Sequence, residues 1–185
     1  MQIFVETERL ILREMLEEDL VGMYELDSDP EVHRYLGNRP LKKKEEALEI
    51  IRSVRQQYID RGIGRWSVIE KESNDFIGWA GLKLEKKEIN NYADYYDLGY
   101  RLRRKFWGKG IGRECAFETL KYGFGNMDLK EIFAAAHIQN QASNKILRGL
   151  GLKYLETFKY DRSFHNWYRI TKDEWEVNFK NIKNK

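Results

Sequence analysis

Apolar and polar residues alternate in short runs near both ends of the chain and in its middle, with helical spacing in between. Residues 3–14 hold two strand-like pieces on either side of Thr7-Glu8, with Ile3 and Val5, then Leu10 and Leu12, at alternate positions. The spacing from Asp19-Leu20 to Leu26 predicts one helix, and the stripe Ala47, Leu48, Ile51, Val54 and Tyr58 predicts a second over residues 45–59. Residues 64–70, 76–84 and 95–102 are aromatic and β-branched runs parted by turn-like segments such as Ser73-Asn74-Asp75, which suits an antiparallel meander.

From Gly110 the period changes. Ile111, Cys115, Thr119, Leu120 and Phe124 predict a helix ending near Gly123 or Gly125. A short apolar run, residues 132–136, then feeds Asn140, a candidate N-cap, and a helical face of Ala142, Ile146, Leu147 and Leu150. Residues 152–158 and 166–170 read as closing strands, and Thr171-Lys172-Asp173-Glu174 has the form of a capping box before a final helix through Trp175. The order is mixed α and β.

A chain of 185 residues, 42% hydrophobic and with only 14 Gly and 2 Pro, suits one domain without a linker. The domain is expected over residues 1–179, with residues 180–185 a basic tail that frays. A net charge of +3 demands neither a nucleic acid nor a membrane as partner, and no apolar stretch approaches about 18 residues. The single cysteine, Cys115, excludes an internal disulfide framework, so a cytoplasmic location is the expectation. His33, His137 and His165 lack the spacing of metal ligands, and no metal is expected.

Charge is informative locally. Gly108-Lys109-Gly110-Ile111-Gly112 opens the helix after the third meander strand, amid Arg101, Arg103, Arg104, Lys105, Lys109 and Arg113 with no acid before Glu114. Glycines allow backbone N–H groups close to an anion, the helix start adds unpaired donors and a positive dipole end, and the basic side chains add attraction. A small molecule bearing a polyphosphate is the expected guest. A P-loop would need Gly-x-x-x-x-Gly-Lys followed by Ser or Thr, and a dinucleotide fold Gly-x-Gly-x-x-Gly; the segment offers neither.

Taken together, Glu8-Arg9-Leu10-Ile11-Leu12-Arg13, Asp97-Leu98-Gly99-Tyr100, residues 107–114, Asn140-Gln141-Ala142-Ser143 and Gly149-Leu150-Gly151-Leu152 resemble landmarks of the GNAT superfamily of N-acetyltransferases. Within it they resemble the ribosomal-protein N-acetyltransferase (RimJ/RimL-like) group, and the likeness runs from Thr7 to Phe179. It implies an α/β fold whose mixed, mostly antiparallel sheet is flanked by helices and splays near Leu102. It also implies an acetyl-coenzyme A site. There the amides of Trp107, Gly108, Lys109, Gly110, Ile111 and Gly112 hold the diphosphate, and the backbone of Tyr100, Arg101 and Leu102 meets the pantetheine arm. Asn140 and Ser143 match positions that contact the cofactor, although Asn140 equally suits a plain helix cap.

The same resemblance implies direct attack by an amine in a ternary complex, with no enzyme nucleophile; Cys115 reads as a buried apolar residue. Asp97 is the first choice for general base, with Asp94 and His165 behind it. The tyrosine that many superfamily members carry seven residues after Asn140 is here Leu147, so Ser143 is the expected partner of the departing thiolate and Tyr160 a poorer one. Arg104 stands where many relatives have Pro. Trp107 is expected to pack in the core and Glu114 to serve the helix dipole, while Tyr92, Tyr95 and Tyr96 suit either an acceptor cleft or ordinary packing. The leading expectation is acetyl transfer from acetyl-CoA to a protein N-terminus or a small amine, with a homodimer possible. A non-catalytic acyl-CoA-binding regulator is the alternative, and an RNA-binding surface a distant third.

Overall fold

Eight strands hydrogen-bond in the order β1-β2-β3-β4-β5-β6-β8-β7, so only the last two leave sequence order. They are β1 (Ile3–Glu6), β2 (Leu10–Arg13), β3 (Trp66–Glu70), β4 (Phe76–Glu85), β5 (Tyr95–Leu102), β6 (Glu131–His137), β7 (Lys153–Tyr160) and β8 (Ser163–Thr171). The helices are α1 (Leu20–Asp27), α2 (Pro30–His33), α3 (Lys44–Arg61), α4 (Ile111–Gly125), α5 (Gln141–Gly149) and α6 (Lys172–Lys183). The computed structural model describes the backbone of residues 1–183 and the side chains of residues 1–179.

Every pairing is antiparallel except β5 with β6. On one face, Leu12, Val68, Leu82, Leu98, Ala134 and Ile170 meet Cys115, Leu120 and Phe124 of α4, Leu147 of α5 and Trp175 of α6. On the other, α1 and α3 bury Met23, Leu26, Ala47, Ile51 and Val54 against Ile69, Phe76 and Trp79. That second helical layer stops short of β6–β8, where Tyr95, Phe133, Phe158 and Trp167 form their own cluster.

The helix ends follow local chemistry. Glu46 Oε2 accepts the N–H groups of Lys42 and Lys43 at the start of α3, and Asn140 Oδ1 accepts Ser143 N–H (3.1 Å) at the start of α5. The box at α6 forms as its sequence suggests, with Thr171 N–H on Glu174 Oε2 at 2.9 Å. The four-residue α2 had no counterpart in the periodicity, being too short to show a period; Asp29 caps it and Pro30 begins it. The final helix runs well past Trp175 and through residues 180–183, where a frayed tail was expected. Residues 184–185 of that tail lie outside the described residues.

Candidate active site

β5 and β6 share a single registered pair, Asp97 with Phe133, and then diverge. The sheet therefore opens at Leu98, earlier than the expected position near Leu102. Backbone direction along this opening follows from the neighbouring ladders. Arg103 N–H donates to Ile77 O (2.9 Å) in continuation of the β4–β5 register, so Arg101, Gly99 and Asp97 also exchange bonds with β4. Leu98, Tyr100 and Leu102 then aim their N–H and C=O groups into the gap. By the same alternation from Ile138 N–H on Phe164 O, the β6 residues facing the gap are Phe133, Ala135 and His137.

At the mouth of the gap stands the glycine-rich turn. Gly108 (φ +74°) and Gly110 (φ +77°) adopt left-handed conformations, which places the start of α4 against the end of β5. Among the described residues, no acceptor engages the amide N–H groups of Gly108 to Arg113, and the first helical bond there runs from Glu114 N–H to Gly110 O. Arg9 holds the turn from outside: its Nε donates to Glu114 Oε2 (2.8 Å), its guanidinium also donates to Lys109 O (3.1 Å), and Thr7 Oγ1 donates to Glu114 Oε1. Glu114 is thus an anchor for Arg9 as well as a dipole partner. Arg9 lies in a landmark segment, but its hundred-residue reach to the turn is a tertiary fact without a sequence signal.

Two expectations about this turn are corrected. The Trp107 amide is already spent on Arg104 O (3.0 Å), and its side chain is 46% exposed rather than buried in the core. The indole N–H donates to Leu102 O (2.8 Å), so of Leu102 only the amide N–H remains for a guest. The basic cluster also proves to be largely neutralised. Arg101 pairs with Asp27 (2.5 Å) and lies over Trp79, Arg103 pairs with Glu25, Arg104 with Asp29 (3.1 Å) and Lys105 with Asp75 (3.2 Å). These acids come from α1, the N-cap of α2 and the turn before β4, which local sequence could not reveal. Arg101 accordingly faces away from the gap in both backbone and side chain, and it is withdrawn as a cofactor contact.

Opposite the turn, the start of α5 sits beneath the gap. Tyr100 Oη and Ser143 Oγ are 3.0 Å apart, and burial pushes the Tyr100 phenol up to about 12 despite that bond, so it stays protonated. Asn144, buried at 2% exposure, donates to His137 O and Asn140 O and accepts from Asn166 and Tyr168. It locks α5 to β6 and β8. Neither the Tyr100 phenol nor Asn144 was singled out by spacing; only Asn144's place in the first turn of α5 hinted at it.

Asp97 does not stand free for proton transfer. Its carboxylate is ion-paired with Arg65, whose guanidinium also donates to the backbone carbonyls of Asp97 and Gly81. A Cβ on Gly99 would lie 2.7 Å from that guanidinium, which explains glycine there. Burial pushes the Asp97 carboxyl up and Arg65 opposes this. Because Arg65 ties one oxygen of this carboxylate, Oδ2, to the carbonyls of Asp97 and Gly81, we assign Asp97 to bracing the closed end of the gap rather than to general base. Asp94 is exposed and paired with Lys86 (2.7 Å). Tyr92 and Tyr95 pack on Phe133 and Trp167, whereas Tyr96 joins the opposite core. Burial pushes the Cys115 thiol well up, as suits a core residue. Among the described residues no group of three or more His, Cys, Asp or Glu is placed to hold a metal, and no helix is long and apolar enough to cross a membrane.

A sheet split between two parallel strands, with an amide-lined helix start at its mouth and a capped helix below, forms a cleft suited to an extended anionic ligand lying along the open edge of β5. Comparison with known proteins makes the class specific. Residues 9–153 match the model of the acetyltransferase (GNAT) domain. The chain is 33% identical over 147 residues to an uncharacterised N-acetyltransferase, p20, of Bacillus licheniformis, covering 80% of each protein. It is 29% identical over 184 residues to the FsC-acetyl coenzyme A-N(2)-transacetylase of Aspergillus fumigatus, covering 92% of this chain and 77% of that protein. Among solved structures, the ribosomal L7/L12 α-N-protein acetyltransferase RimL in complex with coenzyme A superposes with a TM-score of 0.76 at 18% identity, covering 94% of this chain and 99% of that one. The chain belongs to the GNAT acetyltransferase family, and it is an acetyl-CoA-dependent N-acetyltransferase.

Proposed function

We propose that the chain, through a catalytic unit of residues 1–179, moves an acetyl group from acetyl-CoA to a primary amine, a protein N-terminus or a small amine, by direct attack in a ternary complex. The observation that carries this reading is the row of unengaged amides from Gly108 to Arg113 beside the unpaired edge of β5. The amides of Gly108, Lys109, Gly110, Ile111 and Gly112 would hold the diphosphate, with Lys109 and Arg113 as nearby cations that no acid among the described residues pairs. The backbone of Tyr100 and the Leu102 N–H would pair with the amides of the pantetheine arm as an added strand does. Asn140 and Ser143 adjoin this path at the start of α5.

In the reaction, Ser143 Oγ would protonate the departing thiolate, held in place by the Tyr100 phenol. This pair supplies a hydroxyl where Leu147, buried in the core at 1% exposure, offers none. The named activities of the N(2)-transacetylase and of the α-N-protein acetyltransferase that the chain resembles are both transfers to nitrogen. The test is thiol release from acetyl-CoA against a panel of peptide N-termini, amino acids and polyamines. Turnover with one amine class supports the reading. Tight acetyl-CoA binding without thiol release across the panel would instead favour the regulator.

A further inference from the structure

The face of the sheet opposite Ser143 carries an imidazole pair beside the gap. His137 on β6 and His165 on β8 are cross-strand partners, and their rings lie 5.4 Å apart, edge to face at 83°. Tyr35, between α2 and α3, packs on His137 at 5.3 Å, and Tyr160 of β7 meets His165 at 6.0 Å. Arg39 and Asp161, 3.9 Å apart, join the Tyr35 segment to the β7–β8 turn, so these rings lie together on one side of the sheet. Odd-numbered β6 side chains share the face of Phe133 and Trp167, whereas Ala134 and Ala136 face α4 and α5. An amine arriving between these rings would meet a thioester in the gap from the side opposite Ser143.

The two imidazoles are not equivalent. His137 Nδ1 accepts Gln139 N–H (3.1 Å), which fixes its proton on Nε2, and its carbonyl is held by Asn140 N–H and Asn144. His165 Nδ1 is buried and makes no hydrogen bond of good geometry, which leaves Nε2 as the ring nitrogen available to a guest. Burial lowers the His165 value, neighbouring His137 lowers it further, and the Ser163 backbone pulls the other way. A neutral ring results at neutral pH. The titratable and charged groups facing it are His137, Tyr160 and, past His137, Tyr35; Arg39 and Asp161 compensate each other at the rim.

We infer that His165 Nε2 is the general base that takes the proton from the acceptor ammonium. The inference rests on the transferase reading and deepens it. The acceptor R–NH3+ gives one proton to Nε2, and the freed lone pair forms the C–N bond to the thioester carbon. As the C–S bond breaks, the thiolate keeps the bonding pair and gains a second nitrogen proton by way of Ser143. The imidazolium releases its proton to water, so the products are amide, free thiol and one solvated proton.

The test is the pH dependence of kcat/KM for an amine that the wild-type enzyme acetylates, alongside NMR titration of the three histidine rings assigned by substitution. His165→Gln should lower kcat about 100-fold and remove the acid limb while leaving KM for acetyl-CoA unchanged, which also shows the fold intact. His137→Gln should keep the limb and move its midpoint up, because the repelling neighbour is gone. The His165 ring should titrate below the ordinary histidine value, at the midpoint of that limb. An acid limb that persists in His165→Gln, or a His165 ring titrating at or above the ordinary value, overturns the inference while the enzyme stays active. A wild-type protein inert toward every amine overturns the transferase reading itself, and this inference with it.

Discussion

Arg9 shows how one side chain can govern a site it never touches chemically. It fixes Glu114 and the Lys109 carbonyl at once, and so sets the angle at which the amides of the turn face outward. A half-exposed pair of this kind is worth about 1 kcal/mol at most. Arg9→Ala should therefore raise KM for acetyl-CoA about threefold to fivefold, with kcat nearly unchanged; an unaltered KM in steady-state kinetics would show that the turn holds its shape unaided. At this scale the sequence was legible where a residue acts through its own neighbours, as with the Asn140 cap and the left-handed glycines. It was misleading for Arg101, Arg103 and Arg104, because their partners Asp27, Glu25 and Asp29 lie some 75 residues away in sequence. Asp97 misled for the same reason, its partner Arg65 being on another segment.

Among the elements, α4 and the turn before it carry the most of the proposed cofactor site in the least length. Gly110 is the N-cap and sits at φ +77°, and a Cβ there would come no closer than 3.7 Å to Arg9. Gly110→Ala should therefore fold with a loss of about 1–2 kcal/mol from the left-handed conformation alone, seen as a lower urea midpoint. Gly110→Asp adds a carboxylate to an anion cradle, and coenzyme A affinity by calorimetry should fall at least about tenfold, the equivalent of ~1.4 kcal/mol. Equal affinity in the two variants would contradict the assignment of these amides to phosphate. Long elements with a clear period, such as α3 and β4, were readable nearly to their ends. The four-residue α2 and the three-residue turn Arg104–Phe106 were not, since neither completes enough turns to leave a periodic trace.

Across the whole molecule, the links from α1 and α2 to the end of β5 join the two halves of the sheet's covering. Asp27 is 1% exposed and has Arg101 at 2.5 Å and His33 Nε2 at 3.5 Å. Burial alone would raise its carboxyl, but His33 and Arg101 together hold it below the ordinary value. A depressed folded value means stability that is complete above the unfolded carboxylate value of about 3.9 and lost as pH falls through the folded one. Urea unfolding should thus show the wild type losing more stability between pH 6 and pH 3 (about three pH units spanning that transition) than Asp27→Asn does. The strand order was legible only in part: the meander followed from the turns, whereas the exchange of β7 and β8 left no local mark. The lone rung between Asp97 and Phe133 has a wider consequence. Under the proposed reading, recognition of the acyl donor beyond it is written in main-chain atoms, which exchange of side chains along β5 leaves in place. The framing rings around His165 are free to be rebuilt for a different nucleophile without disturbing the donor's seat, so a new specificity can arise here one side chain at a time.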